Sequence, residues 1–346
     1  MMVRSICVLR LSAIGDVCHA LSAVQSIQKT YPESHITWVM GKVEAQLLSD
    51  LPGIEVIVFD KSKGLEGMKA VWKQLRSRRF DILLHMQVAL RASALTLGIR
   101  AKTKLGYSWG KAKEGQWLFT NKKLPSTNAV HVLDNLMCFA REIGCSEIKP
   151  QWSIPLSEED ESIKESLPEE YIVISPAASK KERNWLPERY ARVAEHAIER
   201  GLAVVLTGGP SPAERELTNQ INKMCRFDLI DLVGKTNLKS LCVVLRDAKV
   251  VIAPDSGPAH LATTQGTPVI GLYAHSNPKR TGPYNSLNWV VSVYEEVVRD
   301  QYGKKADELA WGTRVKGTDL MARISTERVI NNFERLLSSL NTNKVT

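Results

Sequence analysis

Twice along this chain, short apolar runs rich in β-branched residues alternate with segments whose apolar residues recur at helical spacing. The first series holds strand candidates at 5–11 (SICVLRL), 35–40 (HITWVM), 56–59 (VIVF) and 81–86 (DILLHM), with a helical pattern over 17–30. The second holds 171–178 (YIVISPAA), 202–209 (LAVVLTGG), 228–234 (DLIDLVG), 249–255 (KVVIAPD) and 267–274 (TPVIGLYA). Strands joined through helices pair in parallel, because a crossover brings the chain back to the end of the sheet it left. The alternation predicts an α/β protein of two doubly wound parallel sheets, with ligands beyond the carboxyl ends of the strands.

A break lies at 146–170, where three prolines and a dense acidic cluster interrupt the pattern and read as a linker region. The expected domains are 1–160 and 161–324, followed by 325–346. That last segment contains a helix over 325–340 (STERVINNFERLLSSL), capped by Ser325 or Thr326, with Val329, Phe333 and Leu336 or Leu337 on one face. At 346 residues the chain is too long for one comfortable core. Two like domains facing each other leave a cleft, the usual place for substrates.

Several function classes lose support. The six cysteines form no CxxC pair, and neither GxGxxG, GxxxxGK[ST] nor HExxH occurs, so disulfide, dinucleotide, P-loop and metal readings have no motif. The opening apolar run breaks at Arg10 and reads as a strand rather than a leader, and apolar runs such as 82–90 fall far short of the ~20 residues that cross a bilayer. A reducing, cytoplasmic compartment is expected. Residues 51–150 hold 17 Lys and Arg against 8 Asp and Glu, whereas the remainder holds 29 of each, so this stretch carries the whole net charge of +9. It predicts an anionic partner or a solvated basic surface. Nucleic acid is disfavoured because interleaved aromatic platforms are not expected there.

Five segments carry candidate chemistry. After the first strand, Ser12-Ala13-Ile14-Gly15-Asp16 puts a carboxylate at the ligand edge of the sheet, and Asp16 reads either as a general base or as a helix cap. At 254–260 (PDSGPAH), Pro258 suits a first helical turn and Gly257 lets the backbone approach a ligand, so that bare amides can hold a diphosphate. His260 there is an additional donor or a packed structural residue, and Asp255 is expected on sugar hydroxyls or backbone amides. Ser179 to Pro187 sets Lys180, Lys181 and Arg183 at a strand's carboxyl end, where they neutralise a leaving diphosphate or form an exposed basic turn, with Trp185 anchoring the loop. Thr207-Gly208-Gly209 with Glu214 suits a base or ribose, or is turn chemistry alone. Over 61–79, Leu65, Met68, Val71 or Trp72, and Leu75 form a face assigned to the core, leaving Lys69, Lys73, Arg76, Arg78 and Arg79 for a headgroup surface or an acidic acceptor.

Together these segments resemble glycosyltransferase family 9, the ADP-heptose:lipopolysaccharide heptosyltransferases. The resemblance spans nearly the whole chain and rests on RLSAIGDV (10–17), RNWLP (183–187), DSGPAHLA (255–262) and GTPVIGLY (266–273), in that order. It implies a GT-B fold, two Rossmann-like domains facing a cleft with the terminal helix crossing back onto the first. It also implies inverting, metal-independent transfer of heptose from ADP-heptose, with no cofactor beyond that nucleotide-sugar donor; the alternatives are a family member using another nucleotide sugar or acceptor, or a GT-B-like nucleotide-sugar epimerase. By the same resemblance Asp16 is the catalytic base, while Arg183 is expected from its charge and position to assist departure. The donor meets Ser179, Lys180, Arg183, Glu214, Thr236, Asp255, Ser256, Gly257 and His260. The acceptor, an anionic lipid-linked oligosaccharide of the lipopolysaccharide inner core, meets Gly15, Gln87, Arg91 and His131, at the cytoplasmic surface of the inner membrane. Where the family often carries Lys two residues before the tryptophan, this chain has Arg183, which bears on the choice of sugar donor.

Overall fold

Strands whose every residue is apolar must be covered on both faces, and helices between consecutive strands supply that cover. In the computed structural model, which describes residues 3–146 and 149–342, the chain forms two compact units, Met1–Pro155 and Leu156–Thr346. The first holds β1 Ser5–Leu9, β2 His35–Gly41, β3 Ile54–Phe59, β4 Phe80–His85, β5 Ala101–Gly106 and β6 Lys122–Lys123, in the sheet order β3-β2-β1-β4-β5-β6. The second holds β7 Tyr171–Ile174, β8 Ala203–Leu206, β9 Ile230–Asp231, β10 Val251–Pro254, β11 Val269–Tyr273 and β12 Val291–Ser292, in the order β12-β11-β10-β7-β8-β9. Each strand pair is parallel. Counted from its own first strand, the second sheet reads 6-5-4-1-2-3, which is the first sheet's 3-2-1-4-5-6 reversed. The strand order therefore switches direction between β1 and β4 in one unit and between β7 and β10 in the other, and such a switch opens a crevice at the carboxyl ends.

Register fixes what reaches each crevice. Leu9 pairs with His85, so the residues after Leu9 and after His85 leave the first sheet side by side. Ile252 pairs with Ile174, which does the same for the segments after β10 and β7. The cores behind them are dry: Cys7, Leu9, Val71 and Leu83 are fully buried in the first unit, as are Ile172, Tyr190, Val204 and Phe333 in the second.

Four expectations change. β5, β6 and β12 were not expected; β5 (AKTKLG) interleaves lysines with apolar residues and the other two have two residues each, so none carries an apolar run. The 146–170 region is not a bare linker. Trp152 Nε1 donates to the Cys18 carbonyl at 2.8 Å, and the acidic cluster builds the short helix Glu158–Glu161, whose cap Ser157 pairs reciprocally with Asp160. The units meet at 155/156 rather than at 160/161. Leu65 was assigned to the core but is 70% exposed, one turn before the buried Met68, Val71 and Leu75 of helix Gly64–Leu75. The terminal helix Thr326–Thr342 is capped by Ser325, whose hydroxyl accepts from Arg328 N, and it buries Val329, Phe333 and Leu336 against the second unit's core.

Candidate active site

In the first unit the chain leaves β1 with Arg10 and turns straight into helix Ile14–Thr30. The turn is fixed from three sides: Leu11 N donates to Gln87 Oε1 at 2.7 Å, Gly41 N donates to the Leu11 carbonyl at 2.8 Å, and Trp38 Nε1 donates to the Arg10 carbonyl at 3.2 Å. Arg10, its side chain 10% exposed, donates to the Met86 carbonyl at 2.6 Å and places Nη2 2.5 Å from Asp16 Oδ2. The Asp16 side chain is 39% exposed, so a carboxylate with a fixed guanidinium behind it still faces solvent. The same oxygen accepts from Ala13 N at 3.4 Å. Asp16 thus closes the helix start on Ala13 N, while its carboxylate stays ordered and open to solvent beside the switch point. Gly15 sits buried in the first helical turn.

Beside this turn lies a pocket of about 590 Å³. Gln87 and Arg91 line it with Ser12, Lys42, Lys61 and Glu44. Burial pushes the Glu44 carboxyl above the usual carboxylate range. His131 is not part of this lining; it is the N-cap of helix Val132–Glu142, its Nδ1 accepting from Leu133 N at 3.0 Å, and its ring meets His19 edge-on at 5.3 Å.

In the second unit, Arg183 Nη1 lies 3.2 Å from Asp255 Oδ2, with side chains only 11% and 12% exposed. Asp255 also accepts from Ser276 Oγ at 2.6 Å, and His260 Nε2 stands 3.9 Å from its other oxygen. Asp255 therefore answers to a cation and a hydroxyl, while helix Gly257–Thr264 starts at Ser256 without a side-chain cap. The buried Ser256 Oγ has no hydrogen-bond partner among the described residues, nor does Thr207 Oγ1 at the end of β8. Trp185 anchors the cationic loop as expected: it is 1% exposed, donates Nε1 to the Ile324 carbonyl at 3.0 Å and packs edge-on against Tyr190. Ser179 and Lys180 are exposed on that loop, and Lys180 stands 3.7 Å from Glu182. Glu214 closes its own turn, accepting from Gly209 N at 2.6 Å and Ser211 Oγ at 3.1 Å, and Thr236 lies just before the cap Asn237 of helix Leu238–Arg246.

Arg10 and Ser276 escaped the sequence reading. Arg10 carried a signal, a lone cation closing an otherwise apolar strand; Ser276 carried none, because its partner lies 21 positions away. The basic stretch 51–150 also holds an aromatic platform that was not expected, Trp109 against Trp117 at 5.3 Å. Among the described residues no helix is long and apolar enough to cross a membrane.

Comparison with known proteins adds the following. Residues 68–309 match the model of glycosyltransferase family 9 (heptosyltransferase). The chain is 46% identical over 336 residues to the lipopolysaccharide core heptosyltransferase OpsX of Haemophilus influenzae, covering 96% of this chain and 97% of that protein. The crystal structure of the glycosyl transferase family 9 protein from Veillonella parvula superposes with a TM-score of 0.79 at 24% identity, covering 98% of this chain and 99% of that one. E. coli heptosyltransferase WaaC, solved with ADP, gives 0.74 at 22% identity, covering 96% and 99%.

Proposed function

The chain belongs to glycosyltransferase family 9, the heptosyltransferases, and on that premise we propose that it moves heptose from ADP-heptose to the lipopolysaccharide inner core, with inversion and without a metal ion. It is a glycosyltransferase of the GT-B fold class. The observation that carries the finer reading is Asp16, an exposed carboxylate held by a buried arginine at the switch point of a parallel sheet.

Asp16 takes the proton of an acceptor hydroxyl while that oxygen attacks the anomeric carbon, and the bond from that carbon to the β-phosphate oxygen breaks. One displacement from the face opposite the leaving group inverts the centre. The departing ADP gains negative charge. In this reading Arg183, Lys180 and the amides of Gly257, Ala259 and His260 stabilise it, the task a divalent cation performs elsewhere; the ordered Arg183 and the uncapped helix start support the assignment. The unpartnered Ser256 hydroxyl supports a ligand at this helix start, and Asp255, already turned toward Ser276, is suited to sugar hydroxyls. Ser179, Glu214 and Thr236 complete the donor side. The ADP-sugar is a substrate and no cofactor is invoked.

The acceptor is proposed to be an anionic lipid-linked oligosaccharide, met by Gln87 and Arg91 in their pocket, with Gly15 and His131 setting the surrounding helix starts. Its lipid would place the protein at the cytoplasmic face of the inner membrane as a peripheral component. The test is incubation with ADP-heptose, with UDP-sugars as controls, and extracted lipid-linked core, followed by mass spectrometry. A gain of one heptose on the core is expected; donor binding with no transfer rejects the reading.

A further inference from the structure

The loop between β5 and β6 bears an aromatic face that the transfer chemistry leaves unused. Of the chain's eight tryptophans, Trp109 and Trp117 are the exposed ones, at 65% and 42%, and their rings touch at 5.3 Å. Leu118 follows at 69% exposure. A contiguous apolar group of this kind on a soluble surface marks an interaction site.

The loop has a fixed shape. Gln116, fully buried, donates Nε2 to the His85 carbonyl at 2.9 Å and the Gln87 carbonyl at 3.0 Å, and its Oε1 accepts from Tyr107 N at 3.1 Å. Glu114 adopts the left-handed region at φ 49°, followed by Gly115 at φ 70°, and its carboxylate accepts from Leu90 N at 2.7 Å. Leu90, 55% exposed, and Glu114 also line the 590 Å³ pocket, so the aromatic face and the pocket share a border.

We propose that Trp109, Trp117 and Leu118 dock the first unit onto an anionic lipid bilayer, bringing the bordering pocket to the level where the sugar of a lipid-linked acceptor leaves the membrane. This rests on the acceptor reading above. Charge selects a bilayer as the occupant. Lys123 Nζ lies 4.5 Å from the Trp109 ring centre and Lys113 is exposed between the two tryptophans in sequence, while the bordering pocket is balanced, with Lys42, Lys61 and Arg91 against Glu44, Asp60 and Glu114, so the cations at the aromatic face carry the attraction. Indole rings settle at the interface between headgroups and acyl chains while neighbouring ammonium groups reach lipid phosphates. An exposed leucine beside them suits acyl chains, whereas stacking on a sugar ring makes no use of it.

The experiment is co-sedimentation of the full chain with phosphatidylethanolamine/phosphatidylglycerol vesicles. It compares the parent, a Trp109→Ser/Trp117→Ser/Leu118→Ser variant and a Lys73→Glu/Arg76→Glu/Arg79→Glu variant. The loop variant is expected to lose about tenfold or more in vesicle affinity. In the parent, tryptophan emission should shift to the blue and be quenched by brominated lipid; in the loop variant neither should occur. Turnover on vesicle-borne acceptor should fall, while turnover on deacylated, water-soluble core oligosaccharide should hold. Parent-like vesicle binding by the loop variant overturns the proposal, as does a loss confined to the Lys73/Arg76/Arg79 variant. An equal loss on the soluble acceptor, or a loss confined to binding of a single-stranded oligonucleotide, overturns it in favour of sugar or base stacking. Absence of any transfer by the parent defeats the functional reading alone, since vesicle binding decides the surface by itself.

Discussion

Arg10 Nη2 stands 2.5 Å from Asp16 Oδ2 while its Nη1 is spent on the Met86 carbonyl, so the residue that closes β1 steers the first acid of the next helix. The pair joins the residue just past an apolar strand to the first turn of a helix, and the strand switch supplies the space in front of it.

If Asp16 is the base, Asp16→Asn keeps the shape and the helix cap but cannot take a proton. We expect turnover to fall ~10²–10⁴-fold, with the affinity for ADP-heptose unchanged in direct titration. Near-parent turnover removes Asp16 from the chemistry.

Removing Arg183 acts twice. Arg183→Met leaves Asp255, 12% exposed, without its cation, which costs about 3 kcal/mol of stability and should lower the denaturant midpoint at constant slope. If Arg183 stabilises the leaving diphosphate as proposed, kcat should also fall on the order of 10²–10³-fold. An Arg183→Met/Asp255→Asn double variant should recover the stability and not the rate.

Since cations and amides replace a metal in the proposed chemistry, turnover should persist in excess EDTA. A loss beyond about tenfold, restored by a divalent ion, would overturn the metal-free mechanism.

Gly41 brings the backbone of β2 close against the turn that carries Asp16. A Cβ there would lie 2.7 Å from the Leu11 carbonyl and collide with Glu44 Oε2. Gly41→Ala should therefore raise the acceptor KM and lower kcat while leaving ADP-heptose affinity intact; unchanged acceptor kinetics would show that the turn tolerates displacement.

His85 sets an acid limit on stability. Burial, reinforced by Arg10 and Lys104, pushes its imidazole from 6.5 down to about 3. The unfolded chain takes up this proton near 6.5 and the folded chain only near 3, so the stabilisation is complete above 6.5 and is lost as pH falls through that window, by up to about 1.4 kcal/mol per pH unit. Glu55, held down from 4.5 to about 2 by Arg78, adds loss only below 4.5. His85→Asn should flatten denaturation midpoints between pH 6.5 and 4.5; an unchanged slope assigns it to other groups.

The sheet centres were legible because β7, β10 and β11 are buried on both faces and apolar throughout, and β1 and β4 carry apolar runs, Ile6–Leu9 and Ile82–Leu84. The edges were not: β5 and β6 carry lysines toward water, and two-residue strands have no period to detect. Asp16, Arg183 and Asp255 could be found because each stands where a strand ends beside a glycine or a cation cluster. Their partners could not. Met86 reaches Arg10 only through strand pairing, and Ser276 reaches Asp255 only through the loop beyond β11. Leu65 fell to the other side because helical spacing marks a face but not where along it the covering element stops.

Each unit thus sets an arginine that follows its first strand against an aspartate, and in the second unit that match has a consequence for release. A guanidinium already balanced by Asp255 offers an incoming diphosphate much less than a full positive charge. On the proposed reaction, the tether that orders Arg183 is therefore expected to loosen its hold on the departing ADP relative to a bare guanidinium, which favours release of that product.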